Sequence, residues 1–120
     1  MKRYLLSQTL GNIPCEYLRI TSENESINKL AIVFTARVHP GETVGSLMMK
    51  GALEYLCSEN SQAKLLRELF VFYMIPMLNP DGVIVGNYRS ALDGIDLNRN
   101  FRNPSKVLHP QIFLLKKLAT

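Results

Sequence analysis

The chain has no tryptophan, two cysteines and two histidines in 120 residues. Cys15 and Cys57 lack metal-type spacing, and a single pair so far apart is weak evidence for a disulfide. A reducing compartment, the cytoplasm, is the simpler expectation. The longest apolar run, residues 69–78, falls well short of the ~20 residues a membrane span needs. The basic start is followed by an apolar run of only residues 4–6, too short for the core of a secretory leader. No block of five or more like charges occurs despite a net charge of +4, which excludes a nucleic-acid-binding arm. Repeats and low-complexity stretches are absent too. The expected chain is therefore soluble, with neither nucleic acid nor membrane as partner.

What is present is enough apolar material for a core. Hydrophobic residues make up 47% and charged residues 20%, which bounds the chain to one folded domain at most. Residues 5–9 and 16–21 read as short strands around a Gly11-Asn12-Ile13-Pro14 turn. Residues 22–29 are polar and read as loop. Residues 30–36 form a near-continuous run of strand formers, suited to a strand buried on both faces. In residues 43–56, Val44, Leu47, Met48, Gly51, Ala52, Tyr55 and Leu56 fall on one helical stripe, with Thr43 as the expected N-cap. A short helix or turn over 62–68 and a second buried strand over 70–78 complete a parallel βαβ unit. Residues 79–105 read as one long loop, unusual enough in length to suggest function. Pro110 opens a final helix over 110–118.

The chemistry gathers where the two parallel strands end. His39-Pro40-Gly41-Glu42 follows the first of them, and ligands of open α/β sheets bind beyond the carboxyl ends of strands. Pro40 keeps His39 out of the helical region, and Gly41 permits the tight turn that lets His39 and Glu42 converge. An imidazole nitrogen and a carboxylate oxygen both bind zinc. An isolated HxxE, however, is more often a loop histidine with a glutamate favoured by a helix dipole. Asn79-Pro80-Asp81-Gly82 ends the second strand and reads mostly as a tight turn. Gly86-Asn87-Tyr88-Arg89 and Asp96-Leu97-Asn98-Arg99-Asn100 then lie in the long loop near the same edge. Arginine and asparagine together suit a carboxylate, which a guanidinium grips in a two-bond fork. On charge alone, Arg89, Arg99 and Arg102 describe a solvated surface or an acidic substrate.

These four motifs in this order, with residues 35–43 carrying the first, resemble the M14 zinc carboxypeptidases. They are most similar to the cytosolic carboxypeptidase branch, which trims glutamates from protein tails such as those of tubulin. The resemblance spans nearly the whole chain. It implies an α/β fold with a partial mixed or parallel sheet and flanking helices, the N-terminal part of a larger catalytic domain. Residues 1–29 would then reach the junction with a preceding domain. It implies zinc as cofactor and polypeptide C-terminal tails as partners. His39 and Glu42 match metal ligands and Arg89 the arginine that steadies the oxyanion. Asn98 and Arg99 match the pair that grips the substrate's terminal carboxylate, and Asp96 a carboxylate that orients the metal-binding histidine. The third zinc ligand and the general-base glutamate have no counterpart in these residues. His109, before Pro110 at a helix start, reads as a capping or surface residue rather than a ligand. Two alternatives remain open: a zinc deacylase of N-acyl amino acids, and a truncated, inactive binding or regulatory module.

Overall fold

A computed structural model of the chain describes residues 1–24 and 28–120. Four strands form one mixed sheet in the order β1-β2-β4-β3. Strand β1 (Lys2–Gln8) pairs antiparallel with β2 (Pro14–Ile20), and β2 pairs antiparallel with β4 (Phe70–Ile75). Strand β3 (Leu30–Thr35) runs parallel to β4, with Leu30 opposite Phe70 and Thr35 opposite Ile75. Helices α1 (Val44–Cys57) and α2 (Ser61–Leu69) make the crossover between them, which gives the expected βαβ unit. The first hairpin closes through Asn12 in the left-handed region, at φ 59°. Tyr4 stacks on Tyr17 at 5.2 Å between ring centroids, and Tyr17 meets Tyr73 at 5.8 Å, one aromatic from each of the three antiparallel strands.

Three expectations are corrected. Strand β3 is not buried on both faces: among the described residues it pairs with β4 alone, and Leu30 and Phe34 are exposed. Thr43 does not cap α1 with its side chain; its backbone is already helical, at φ −60° and ψ −29°. Helix α1 also turns only part of the expected stripe inward, Ala52 and Leu56. Met49, Ala52, Leu53 and Leu56 pack with Phe72 and Met74, whereas Val44, Leu47, Met48 and Tyr55 are exposed. The helix carries two apolar stripes, and periodicity alone cannot rank them. Helix α2 begins as its sequence asks, the Asn60 side chain accepting from the Gln62 amide at 2.9 Å. No helix among the described residues is long and apolar enough to cross a membrane.

The second face of the sheet is covered by α4 (Pro110–Leu118). Its Ile112 and Leu115 join Cys15, Ile75, Leu78, Ala91 and Leu97 in one buried cluster. Burial pushes the Cys15 thiol up from its ordinary 9.0 to about 12, and the charges of Asp81 and Glu16 add to the rise. A thiol raised in the fold stabilises it fully below the unfolded value and ceases to do so as pH climbs through the folded one. Thermal unfolding should therefore show a loss of stability between pH 9.0 and about 12 that is smaller in Cys15→Ala, the remainder including Tyr17, whose hydroxyl is also pushed up by burial. At neutral pH a thiol reagent should titrate the exposed Cys57 alone, and both cysteines only in denaturant.

Candidate active site

The parallel strands β3 and β4 deliver their following residues to one edge. Their pairing continues past the strands: the Ala36 amide donates to Ile75 O, Leu78 to Ala36 O and Asn79 to Arg37 O, at 2.9–3.1 Å. Arg37 then turns the chain in the left-handed region, at φ 53°, a conformation that costs a residue with a Cβ about 1–2 kcal/mol. Its own guanidinium offsets that cost. Nε donates to Pro40 O and Nη1 to Ser46 Oγ, both at 2.9 Å, which folds residues 37–42 against the start of α1.

Asn79-Pro80-Asp81-Gly82 is the start of a helix rather than a tight turn. Helix α3 (Pro80–Val85) has Pro80 in its first turn, and the Asn79 side chain accepts from the Gly82 amide at 3.0 Å. Asp81 is buried and reaches back to the first hairpin. Oδ1 accepts from Thr9 Oγ1 at 2.6 Å and Oδ2 from the Gly11 amide at 3.0 Å. The long stretch 79–105 is thus not structureless: α3 and a 3-10 turn at Leu97–Arg99 lie within it. Asp96 opens that turn by accepting from the Asn98 amide at 2.8 Å.

The loops meet closely enough to require glycine at two points. A Cβ on Gly41 would clash with the edge of the Tyr88 ring, while the Gly41 amide donates to Tyr88 O at 2.7 Å. A Cβ on Gly82 would strike Pro40 and come within 2.7 Å of Ser90 O. Pro40 and Ser90 bracket the site, so Gly82 sets how near the two loops approach.

His39 lies at the centre, 6% exposed. Nε2 is 3.0 Å from Asp96 Oδ1, and Nδ1 is 3.0 Å from Glu42 Oε1. Arg89 Nε donates to Asp96 Oδ2 at 2.8 Å. The fold thus brings His39, Glu42, Asp96 and Arg89 together, although His39 and Asp96 stand 57 residues apart in sequence. Asn98 and Arg99 adjoin them on the same turn, both exposed. Burial alone would push the Asp96 carboxyl up; the Asn98 amide, His39 and the Arg89 guanidinium outweigh it and hold the group below its ordinary value.

This arrangement fits a cation. With Asp96 accepting the Nε2 proton, a neutral imidazole turns its Nδ1 lone pair toward a carboxylate oxygen at 3.0 Å. Two acceptors face one another there, and a proton or a metal ion between them relieves the contact. Glu42 is half exposed, so the pair opens to solvent. No cluster of three or more metal-binding side chains is found among the described residues.

His109 is neither a surface residue nor a side-chain cap. It is 3% exposed, with Nδ1 2.9 Å from Asn100 Nδ2 and Nε2 2.6 Å from Asp93 Oδ2. Both ring nitrogens are therefore engaged away from His39. The supporting roles of Arg37, Asp81 and Gly82 were missed in the sequence. Their only signal is that they sit within the motifs, beside residues whose chemistry is easier to name.

Residues 1–111 match the zinc carboxypeptidase family. The chain is 50% identical to cytosolic carboxypeptidase 1 of Gallus gallus over 94% of its own length and 10% of that protein's. A metallo-carboxypeptidase from Burkholderia cenocepacia superposes with a TM-score of 0.89 at 26% identity, over 98% of this chain and 32% of that one. A metallo-carboxypeptidase from Pseudomonas aeruginosa in complex with (2-guanidinoethylmercapto)succinic acid gives 0.86 at 28% identity, over 97% and 31%. The chain spans about a tenth of the length of the first curated relatives it matches, 10% to 13%.

Gly82→Ala should destabilise the chain by about 1–3 kcal/mol in chemical denaturation, because backbone and a proline ring block the new methyl. Gly51→Ala, in α1 with nothing within 4 Å of the added carbon, should instead stabilise by about 0.5–1 kcal/mol.

Proposed function

The chain belongs to the zinc carboxypeptidase family, and from that premise we propose that it forms part of the catalytic domain of a zinc-dependent metallocarboxypeptidase. One observation carries the reading: the imidazole of His39, backed by Asp96, faces the carboxylate of Glu42 at the carboxyl ends of two parallel strands. His39 Nδ1 and a Glu42 oxygen are the atoms to hold zinc. When bound, the metal supplies Lewis acidity toward a carbonyl and lowers the pKa of a water. Asp96 keeps the proton on Nε2, which reserves Nδ1 as the ligand atom. Arg89 is anchored by its Nε, which leaves its two Nη groups to donate to an oxyanion. Asn98 and Arg99, exposed beside it, are suited to the terminal carboxylate of a peptide.

Two protein ligands are fewer than the three of a catalytic zinc. We therefore assign the remaining ligand and the general base to further sequence, in keeping with solved relatives about three times as long. Residues 1–29 then approach the junction with a preceding domain. For substrate we propose protein C-terminal tails rich in glutamate, tubulin's among them, cleaved in the cytosol. Similarity to a cytosolic carboxypeptidase supports this, as do the cationic side chains of Arg89, Arg99 and Arg102.

Calorimetric titration of the 120-residue chain with zinc should show weak binding that His39→Ala abolishes; tight one-to-one binding would contradict a two-ligand site. In a longer form containing the whole domain, hydrolysis of glutamate-tailed peptides should exceed that of apolar-tailed ones, and His39→Ala should reduce it to background. A preference for apolar tails would refute the glutamate assignment.

A further inference from the structure

The grip proposed for Asn98 and Arg99 is poorly fixed by those residues themselves. Among the described residues, the Arg99 guanidinium makes one long hydrogen bond, Nη1 to Asn98 O at 3.5 Å. Where the two side chains reach is therefore decided by the backbone of the Leu97–Arg99 turn. Leu97 fixes that turn from within, fully buried in the core. Asp96 holds it toward the metal site. A third support comes from His109.

The His109 ring bonds to both flanks of the turn. Asp93, three residues before Asp96, accepts from Nε2 at 2.6 Å. Asn100, directly after Arg99, donates its amide to Nδ1 at 2.9 Å. That donation leaves the ring proton on Nε2, so both nitrogens are matched in the neutral tautomer. The ring itself is fixed by α4. The His109 amide donates to Ser105 O at 3.0 Å, and its carbonyl accepts from Ile112 and Phe113 in the first turn of the helix. Ile112 and Leu115 then pin α4 in the cluster that holds Leu97. One buried side chain thus joins the start and the end of the turn to a packed helix.

We propose that His109 is a positioning residue of the carboxylate grip: through Asp93 and Asn100 it helps fix the turn that presents Asn98 and Arg99. The inference rests on the carboxypeptidase reading, because only there do these two residues bind a terminal carboxylate.

The test is NMR titration of the 120-residue chain with acetyl-Glu-Glu bearing a free terminal carboxylate, against the same peptide as its terminal amide. The wild-type chain should prefer the free carboxylate. His109→Ala should weaken binding of that form about tenfold, as loss of a buried hydrogen-bonded anchor implies, with little change for the amide. His109→Gln, which can still donate to Asp93, should recover part of the loss. Zinc-induced shifts at His39 should be the same in both variants as in wild type. If His109→Ala fails to fold, Asp93→Ala and Asn100→Ala each remove one arm while keeping the ring, and each should lower carboxylate affinity several-fold. Undiminished preference for the carboxylate in His109→Ala, or in both single-arm variants, overturns the positioning role alone. No preference in the wild-type chain overturns the carboxylate grip itself and this inference with it.

Discussion

The carboxylate of Asp96 is the contact on which the rest of the site depends. One oxygen takes His39 Nε2 and the Asn98 amide, the other takes Arg89 Nε. Ring tautomer, guanidinium placement and the start of the Leu97–Arg99 turn are thereby set by one group. Charge-assisted bonds of this kind are shorter and stronger than neutral ones. The Asp96 charge is also what makes Nδ1, and not Nε2, the nitrogen open to a cation.

Asp96 can do this only because the loops that carry its partners are held at close range. The parallel pairing of β3 and β4 brings residues 36–42 and 76–82 to one edge. Arg37 folds the first loop back on itself with its own side chain. Asp81 ties the second to the hairpin at Thr9 and Gly11. Gly41 and Gly82 let ring and backbone approach where a methyl group would keep them apart. The left-handed backbone at Arg37 is a local cost that these contacts offset.

Much of the fold was readable because strand and helix periods are local properties. The βαβ unit, the first hairpin and the helix opened by Pro110 follow from runs of a few residues and from turn chemistry. Several of the errors share one origin. Which stripe of α1 faces inward, and whether β3 is flanked on both sides, depend on what lies beside them in space. His109 was misjudged for the same reason. A histidine before a proline at a helix start has the local signature of a cap, and its burial between Asp93 and Asn100 comes from a loop that local pattern does not describe.

By itself the sequence determined the elements, their order and the chemical character of the residues at the strand ends. His39, Glu42, Arg89, Asp96, Asn98 and Arg99 could be named because their side-chain chemistry and motif spacing are written along the chain. Only the tertiary structure decided that His39 and Asp96, 57 residues apart, share a hydrogen bond and that Arg89 closes on the same carboxylate. It likewise decided that Asp81 serves the scaffold. The physical reason is the same throughout: a residue's identity limits the bonds it can make, whereas the folding of distant segments against one core determines which of them form.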